Sequence, residues 1–289
     1  MPVSVFPEYR VASRKKENFS AFYGALVLLS LHWAFILYIN SSYLEQFVSG
    51  KIVGLLYVIS ALITISVFLY ATHFLNAIGN YHFIVLLTVL EGAVLIGMAH
   101  AHTATWALPL FVLHQAIVPL ILFCLDIFME EMVGEEEQTT GGRRGLLLTI
   151  MSLMGALASL ASGYIIGDGI PNFSFAYTIS ALLLIPFLLI IIGCFRKFVD
   201  PPYHNFDIIR GFTCFWSQSD MRNVFFAHFL LQLFFAWMVI YTPIYLATVV
   251  GFNWKEIGEI LFGGLMAYVF LEYIIGVIAD KWLGEKEKK

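Results

Sequence analysis

The sequence predicts an all-α polytopic membrane protein, a bundle of eight transmembrane helices. Composition, run length and the placement of charge each point to it. Of 289 residues, 60% are hydrophobic and only 12% charged, against about 45–50% and about 25% in a soluble globular chain. Mean hydropathy is +0.83. The apolar residues gather into eight runs long enough to cross a hydrocarbon core, which takes about 20 residues per helix. The three cysteines, Cys124, Cys194 and Cys214, are an odd number and exclude a small disulfide scaffold. A net charge of −4, with no basic stripe interleaved with aromatics, argues against a nucleic-acid partner.

The runs are read in chain order as helices, because backbone groups in lipid must be satisfied within the segment. Barrel strands would instead be about ten residues of apolar/polar alternation. Span 1 (21–46) follows a tail, 1–20, that holds Arg10, Arg14, Lys15 and Lys16. It is too long for a signal peptide and lacks an A-x-A-like cleavage site, so it reads as a retained helix. Span 2 (52–72) opens at Lys51 and is closed by Gly79. Span 3 (82–101) carries Glu91 and ends at His100-Ala-His102, and span 4 (105–129) ends on Asp126 and Glu130. Span 5 (146–167) follows Arg143-Arg144-Gly145 and contains the small-residue run Gly155–Gly163, suited to close helix packing. Span 6 (175–195) follows Asn172-Phe173-Ser174, a glycosylation pattern on a short loop. Span 7 (225–250) contains Pro243, expected to kink it, and span 8 (257–279) contains Glu272.

Alternating the loops with the N-terminus inside puts fourteen of the sixteen Lys and Arg on one side; only Lys51 and Lys255 fall on the other. Such asymmetry sets topology, and it places the N-terminus and residue 289 in the cytoplasm. The cell (cytoplasmic) membrane is the expected location. The polar stretch 196–224 divides a six-helix bundle (21–195) from the remainder (225–289). Within it, 203–216 reads either as an amphipathic helix at the membrane surface or as a plain linker with aromatic anchors. A pattern also restarts along the chain. Tyr43-Leu44, Lys51-x-x-Gly54 and Gly79 are matched in order by Tyr245-Leu246, Lys255-x-x-Gly258 and Gly284. Spans 7 and 8 thus resemble spans 1 and 2, as in the parallel repeats of secondary transporters.

At the end of span 8, Gly276-Val-Ile-Ala-Asp280-Lys281-Trp-Leu-Gly284-Glu-Lys286 resembles the loop signature of the major facilitator superfamily, with one extra residue before the second glycine. After span 2 the matching stretch is Asn76-Ala77-Ile78-Gly79-Asn80, with Asn in place of the acid and Ala in place of the base. Asp126-x-x-x-Glu130 followed by Arg143-Arg144-Gly145 is also similar to that superfamily. The resemblance implies twelve helices, of which eight are here, so the chain is expected to be a fragment lacking the last four. It further implies a cavity lined by helices 1, 4, 7 and 10. The polar residues on the first three of those are His32 and Asn40, His114 and Gln115, and His228, Gln232 and Tyr241.

Intramembrane carboxylates are costly and are candidates for function by default. Glu91 and Glu272 read either as proton- or cation-coupling groups or as structural carboxyls hydrogen-bonded between helices. Asp126 and Glu130 are expected to pair with Arg143 or Arg144 and hold a gate. The pair at His100 and His102 lacks a third ligand, and no metal site or cofactor motif is expected. The function expected is secondary transport of a small solute by alternating access, with protons or cations as candidate coupling ions and the bilayer as surroundings. A non-transporting receptor of similar fold is the alternative. An integral-membrane enzyme fits less well, since no nucleophile–base set converges. The absence of Lys and Arg within the spans disfavours a strongly anionic solute.

Overall fold

The computed structural model describes residues 6–133, 140–167, 171–203 and 208–283. Among the described residues, eight helices are long and apolar enough to cross a membrane, in the positions read from the sequence. Span 1 comprises α1 (Phe6–Leu37) and the short α2 (Asn40–Glu45); α3 (Gly50–Leu69), α4 (Ala71–Ala99), α5 (Ala104–Val133), α6 (Thr140–Ile166) and α7 (Phe173–Phe195) follow as spans 2 to 6. A ten-residue helix, α8 (Ile208–Ser217), precedes span 7, which is α9 (Ser219–Tyr245) extended by a π-helical turn (Leu246–Val250). Span 8 is α10 (Trp254–Leu283). Of the two readings of segment 203–216, the helical one describes residues 208 onward, with Phe212 and Trp216 exposed.

Several hydroxyls inside the spans are satisfied by their own helix. Ser60, Thr64, Ser66, Thr88, Thr149, Ser159 and Thr178 each donate to the carbonyl four residues earlier. Proline is tolerated on the same terms. Pro243 lies within α9, and the helix runs through it before widening into the π turn, which ends at Gly251 with φ +83.

The core draws mostly on the first six spans, joined at its edge by Val239 and Ile240 of α9 and by Trp254, Ile257 and Leu261 of α10. Helix α1 packs against α7 and α6, α4 against α5 and α7, and α3 against α5. In the most apolar stretch of span 1, 61% of residues are buried, and half in spans 3 and 4, but only 11% in span 7 and 6% in span 8. The last two spans therefore lie on the outside of this core. α10 runs along α6, and α9 touches α2.

Two local breaks shape the bundle. Span 1 is interrupted at Tyr38–Ile39, and buried tyrosines hold the broken end. Tyr177 on α7 donates to Asn40 Oδ1 at 2.6 Å, and Tyr43 donates to the Met98 carbonyl at 2.8 Å. The second break is Gly79, with φ 76 and ψ 158 inside α4, a conformation essentially restricted to glycine. It divides Ala71–Ile78 from Asn80–Ala99. The turn between spans 2 and 3 thus falls a few residues before the boundary read from hydropathy.

Candidate functional site: a buried histidine–glutamate cluster and a cavity beside it

Spans 1, 3, 4 and 6 each place one polar side chain at a common depth in the core. Glu91 from α4, His32 from α1, His114 from α5 and Ser180 from α7 are all fully buried. His114 Nδ1 lies 2.5 Å from Glu91 Oε1, a short charge-assisted contact. His32 Nε2 approaches the same oxygen from the other side, at 3.7 Å. The remaining nitrogen of His32, Nδ1, faces α7, 3.0 Å from the Ser180 carbonyl and 2.9 Å from Ser180 Oγ. Ser180 Oγ in turn donates to the His32 carbonyl at 2.8 Å. Glu91 Oε2 and His114 Nε2 have no hydrogen-bond partner.

Ser180, His32 and Glu91 follow the order of a hydrolytic triad, yet the chemistry differs. The serine hydroxyl is committed to a backbone carbonyl, and its oxygen has no exposed surface on which a substrate carbonyl could sit. What the cluster can do is hold and exchange protons. A carboxylate and two imidazoles share one dry compartment. Among the described residues, no three His, Cys, Asp or Glu side chains form a metal-binding group.

A cavity of about 280 Å³ lies between the six-span core and the last two spans. Trp33 and Tyr38 line it from span 1, Ser152 from α6, Gln232 and Phe235 from α9, and Tyr268 and Glu272 from α10. Along its α6–α10 side the two helices meet through small residues. A Cβ on Gly163 would sit 2.5 Å from the Trp254 carbonyl oxygen, and one on Gly145 would sit 3.1 Å from the Glu272 carbonyl. Only glycine lets α6 and α10 approach this closely at both ends. Between those ends Ser152 donates to Glu272 Oε2 at 2.7 Å. A larger open groove of about 440 Å³ runs along Trp237, Tyr241, Thr242 and Tyr245. It is lined by span 7 alone and presents no carboxylate or imidazole.

Of the residues expected to line a central cavity, Gln232 does so, as does Glu272, which was singled out for coupling. His32, Asn40 and His114 are instead packed inside the core, because their rings and amide face α4 and α7. Gln115 is half-buried on α5, its carbonyl accepting from Thr64. His228 is exposed on α9, 3.4 Å from Gln232. Tyr241 brings its hydroxyl against Gly54 of α3, where a Cβ would collide with it.

Asp126 and Glu130 are exposed near the end of α5. Arg143 and Arg144 lie in the first turns of α6, and Asp280 and Lys281 in the last turns of α10; the side chains of all four lie outside the described residues, as does Gly284 entirely. Gly276 forms part of the close α6–α10 contact, its Cα 3.4 Å from a Cβ built on Gly145. Asn172 caps α7 by accepting from the Phe175 amide.

The stretch Asn76–Asn80 gains an acid from elsewhere in the chain. Asp200, after span 6, accepts the Asn80 amide at 2.8 Å and the Tyr203 hydroxyl at 2.7 Å. Asn76 donates to the Tyr203 carbonyl, and Asn80 Nδ2 to the Cys124 carbonyl. Burial, reinforced by Asp200, pushes the Tyr203 hydroxyl well up, so it remains a donor.

Ser152, Ser180 and Asp200 were not singled out in the sequence. Ser152 alone carries a readable signal, since Gly145, Ser152, Ser159 and Gly163 fall on one helical face. The chain matches no family model, no curated protein and no solved structure.

Proposed function

We propose that this protein is a secondary transporter that moves a small solute by alternating access. The cavity between the six-span core and the last two spans carries the reading. It joins elements from both sides of the 196–224 stretch, and its polar groups, Ser152, Gln232 and Glu272, converge in an otherwise largely aliphatic and aromatic lining. A mainly apolar pocket with a few convergent polar groups is the usual form of a small-molecule site. Opening it to either side requires α9 and α10 to move against the core, and both helices are sparsely buried, with α10 held chiefly along α6. Its lining contains a carboxyl group and no Lys or Arg, which favours a neutral or cationic solute.

Proton coupling completes the proposal, with Glu272 in the cavity and the Glu91 cluster behind it. The one-sided distribution of Lys and Arg supports a cytoplasmic N-terminus in the cell membrane. The test is reconstitution of the chain in liposomes loaded with a pH-sensitive dye. Sugars, amino acids, nucleosides and organic amines are added one class at a time. The expected result is a lumenal pH change driven by one of these classes and abolished by Glu272→Gln. A lumen unresponsive to every class contradicts the reading.

A further inference from the structure

The cluster around Glu91 fixes where a proton goes, and this rests on, and deepens, the transport reading. His32 Nδ1 faces two groups: the Ser180 carbonyl, which can only accept, and Ser180 Oγ, whose own proton is donated to the His32 carbonyl. Nδ1 must therefore carry a hydrogen in every state that keeps this geometry. In neutral His32 that leaves Nε2 as a bare lone pair. It points across 3.7 Å at Glu91 Oε1, itself an acceptor when ionised, in a site with no exposed surface. Two acceptors then face each other in a dry compartment, where an unpaired acceptor is costly. One added hydrogen, on either atom, turns that opposition into an attraction that draws the two atoms from 3.7 Å toward hydrogen-bond distance.

We infer that the gap between His32 Nε2 and Glu91 Oε1 is a built-in binding site for a single proton. His114, holding the same carboxylate oxygen from α5, is its positioning residue. The proton comes from water and returns to it, with no other bond made or broken. The site is closed on all sides, so exchange requires α1, α4, α5 and α7 to part, which ties protonation to a change in the bundle.

The groups that face it are few. Glu91 comes from α4, His114 from α5 and Ser180 from α7. On α6, which also packs against α1, Tyr164 is the one ionisable side chain among the described residues, and it pairs with Glu259 instead. Ser180 fixes the histidine tautomer, a role with no counterpart at Glu272, whose carboxylate accepts from Ser152 and lines the open cavity.

The experiment is nitrogen NMR on ¹⁵N-histidine-labelled full chain in lipid bilayers, titrated across the pH range in which the protein stays folded. His32→Gln assigns the resonances by their loss. His32 Nδ1 is expected to stay protonated throughout. Nε2 is expected to move once, from bare to hydrogen-bonded or protonated, with one proton taken up. Glu91→Gln supplies an amide N–H to Nε2 and should abolish that step. A bare Nδ1 in any folded sample, an Nε2 that never moves, or a step that persists in Glu91→Gln overturns the proposal. Should Glu91→Gln fail to fold, the wild-type titration still decides it. The readout needs no solute: a failed titration beside a solute-driven pH change would remove this site and leave transport standing. A clean titration with no solute-driven change would do the reverse.

Discussion

Deleting one partner of the Glu91–His114 pair should cost more than deleting both. His114→Leu takes away the contact 2.5 Å from Glu91 Oε1 and leaves the carboxylate with His32 Nε2 at 3.7 Å and an Oε2 that has no partner. Glu91→Leu strands His114 in the same way. Stranding one member of a fully buried ion pair costs about 3–5 kcal/mol, while replacing the pair by apolar side chains of similar volume is often neutral or stabilising. Each single variant should therefore lose about 3–5 kcal/mol, and the double variant should be more stable than either, with a coupling energy of about 3 kcal/mol or more. The assay is reversible unfolding of the four proteins in mixed micelles, read by circular dichroism. Additivity within about 0.5 kcal/mol, the behaviour of independent sites, would refute the idea that the cluster is a coupled unit.

Three further outcomes follow from the packing. Gly79→Ala places a Cβ at positive φ and 2.6 Å from Asp200 Oδ2. It should destabilise by about 1–3 kcal/mol in the same unfolding assay, and Asp200→Ala in that background should recover little, since the backbone strain remains. Gly163→Leu forces a side chain against the Trp254 carbonyl and Gly258. A disulfide engineered between α6 and α10, formed readily in the parent, should form slowly or not at all in this variant. Tyr177→Phe removes the 2.6 Å bond to Asn40 and should cost about 1–3 kcal/mol of stability, the usual penalty for an unsatisfied buried acceptor.

The spans were legible because each had to bring about 20 apolar residues into the membrane, a signal no tertiary contact can hide. The break at Tyr38–Ile39 was not, since no proline or glycine marks it and the tyrosines that hold the broken end come from α2 and α7. Glu91 stood out through the cost of burying a charge. His32 and His114 stood out as polar residues in apolar runs, but their meeting depends on the rotation of three helices, which spacing along one helix does not encode. The cavity assignment for the two histidines therefore gave way to the core, while Gln232 and Glu272 share a cavity wall. Asp200 was hidden differently: it lies in a polar stretch where an acid needs no explanation, and its role appears only once Gly79 and Asn80 fold against it.

Alternating access is the central claim, and it can be tested without knowing the solute. Gln232→Cys in a Cys194→Ser/Cys214→Ser background puts a thiol in the cavity wall; the remaining Cys124 is buried. A membrane-impermeant maleimide is then applied to right-side-out and to inverted vesicles. Labelling from both sides is the predicted result, and labelling from one side only, under every condition of pH and added solute, would contradict it.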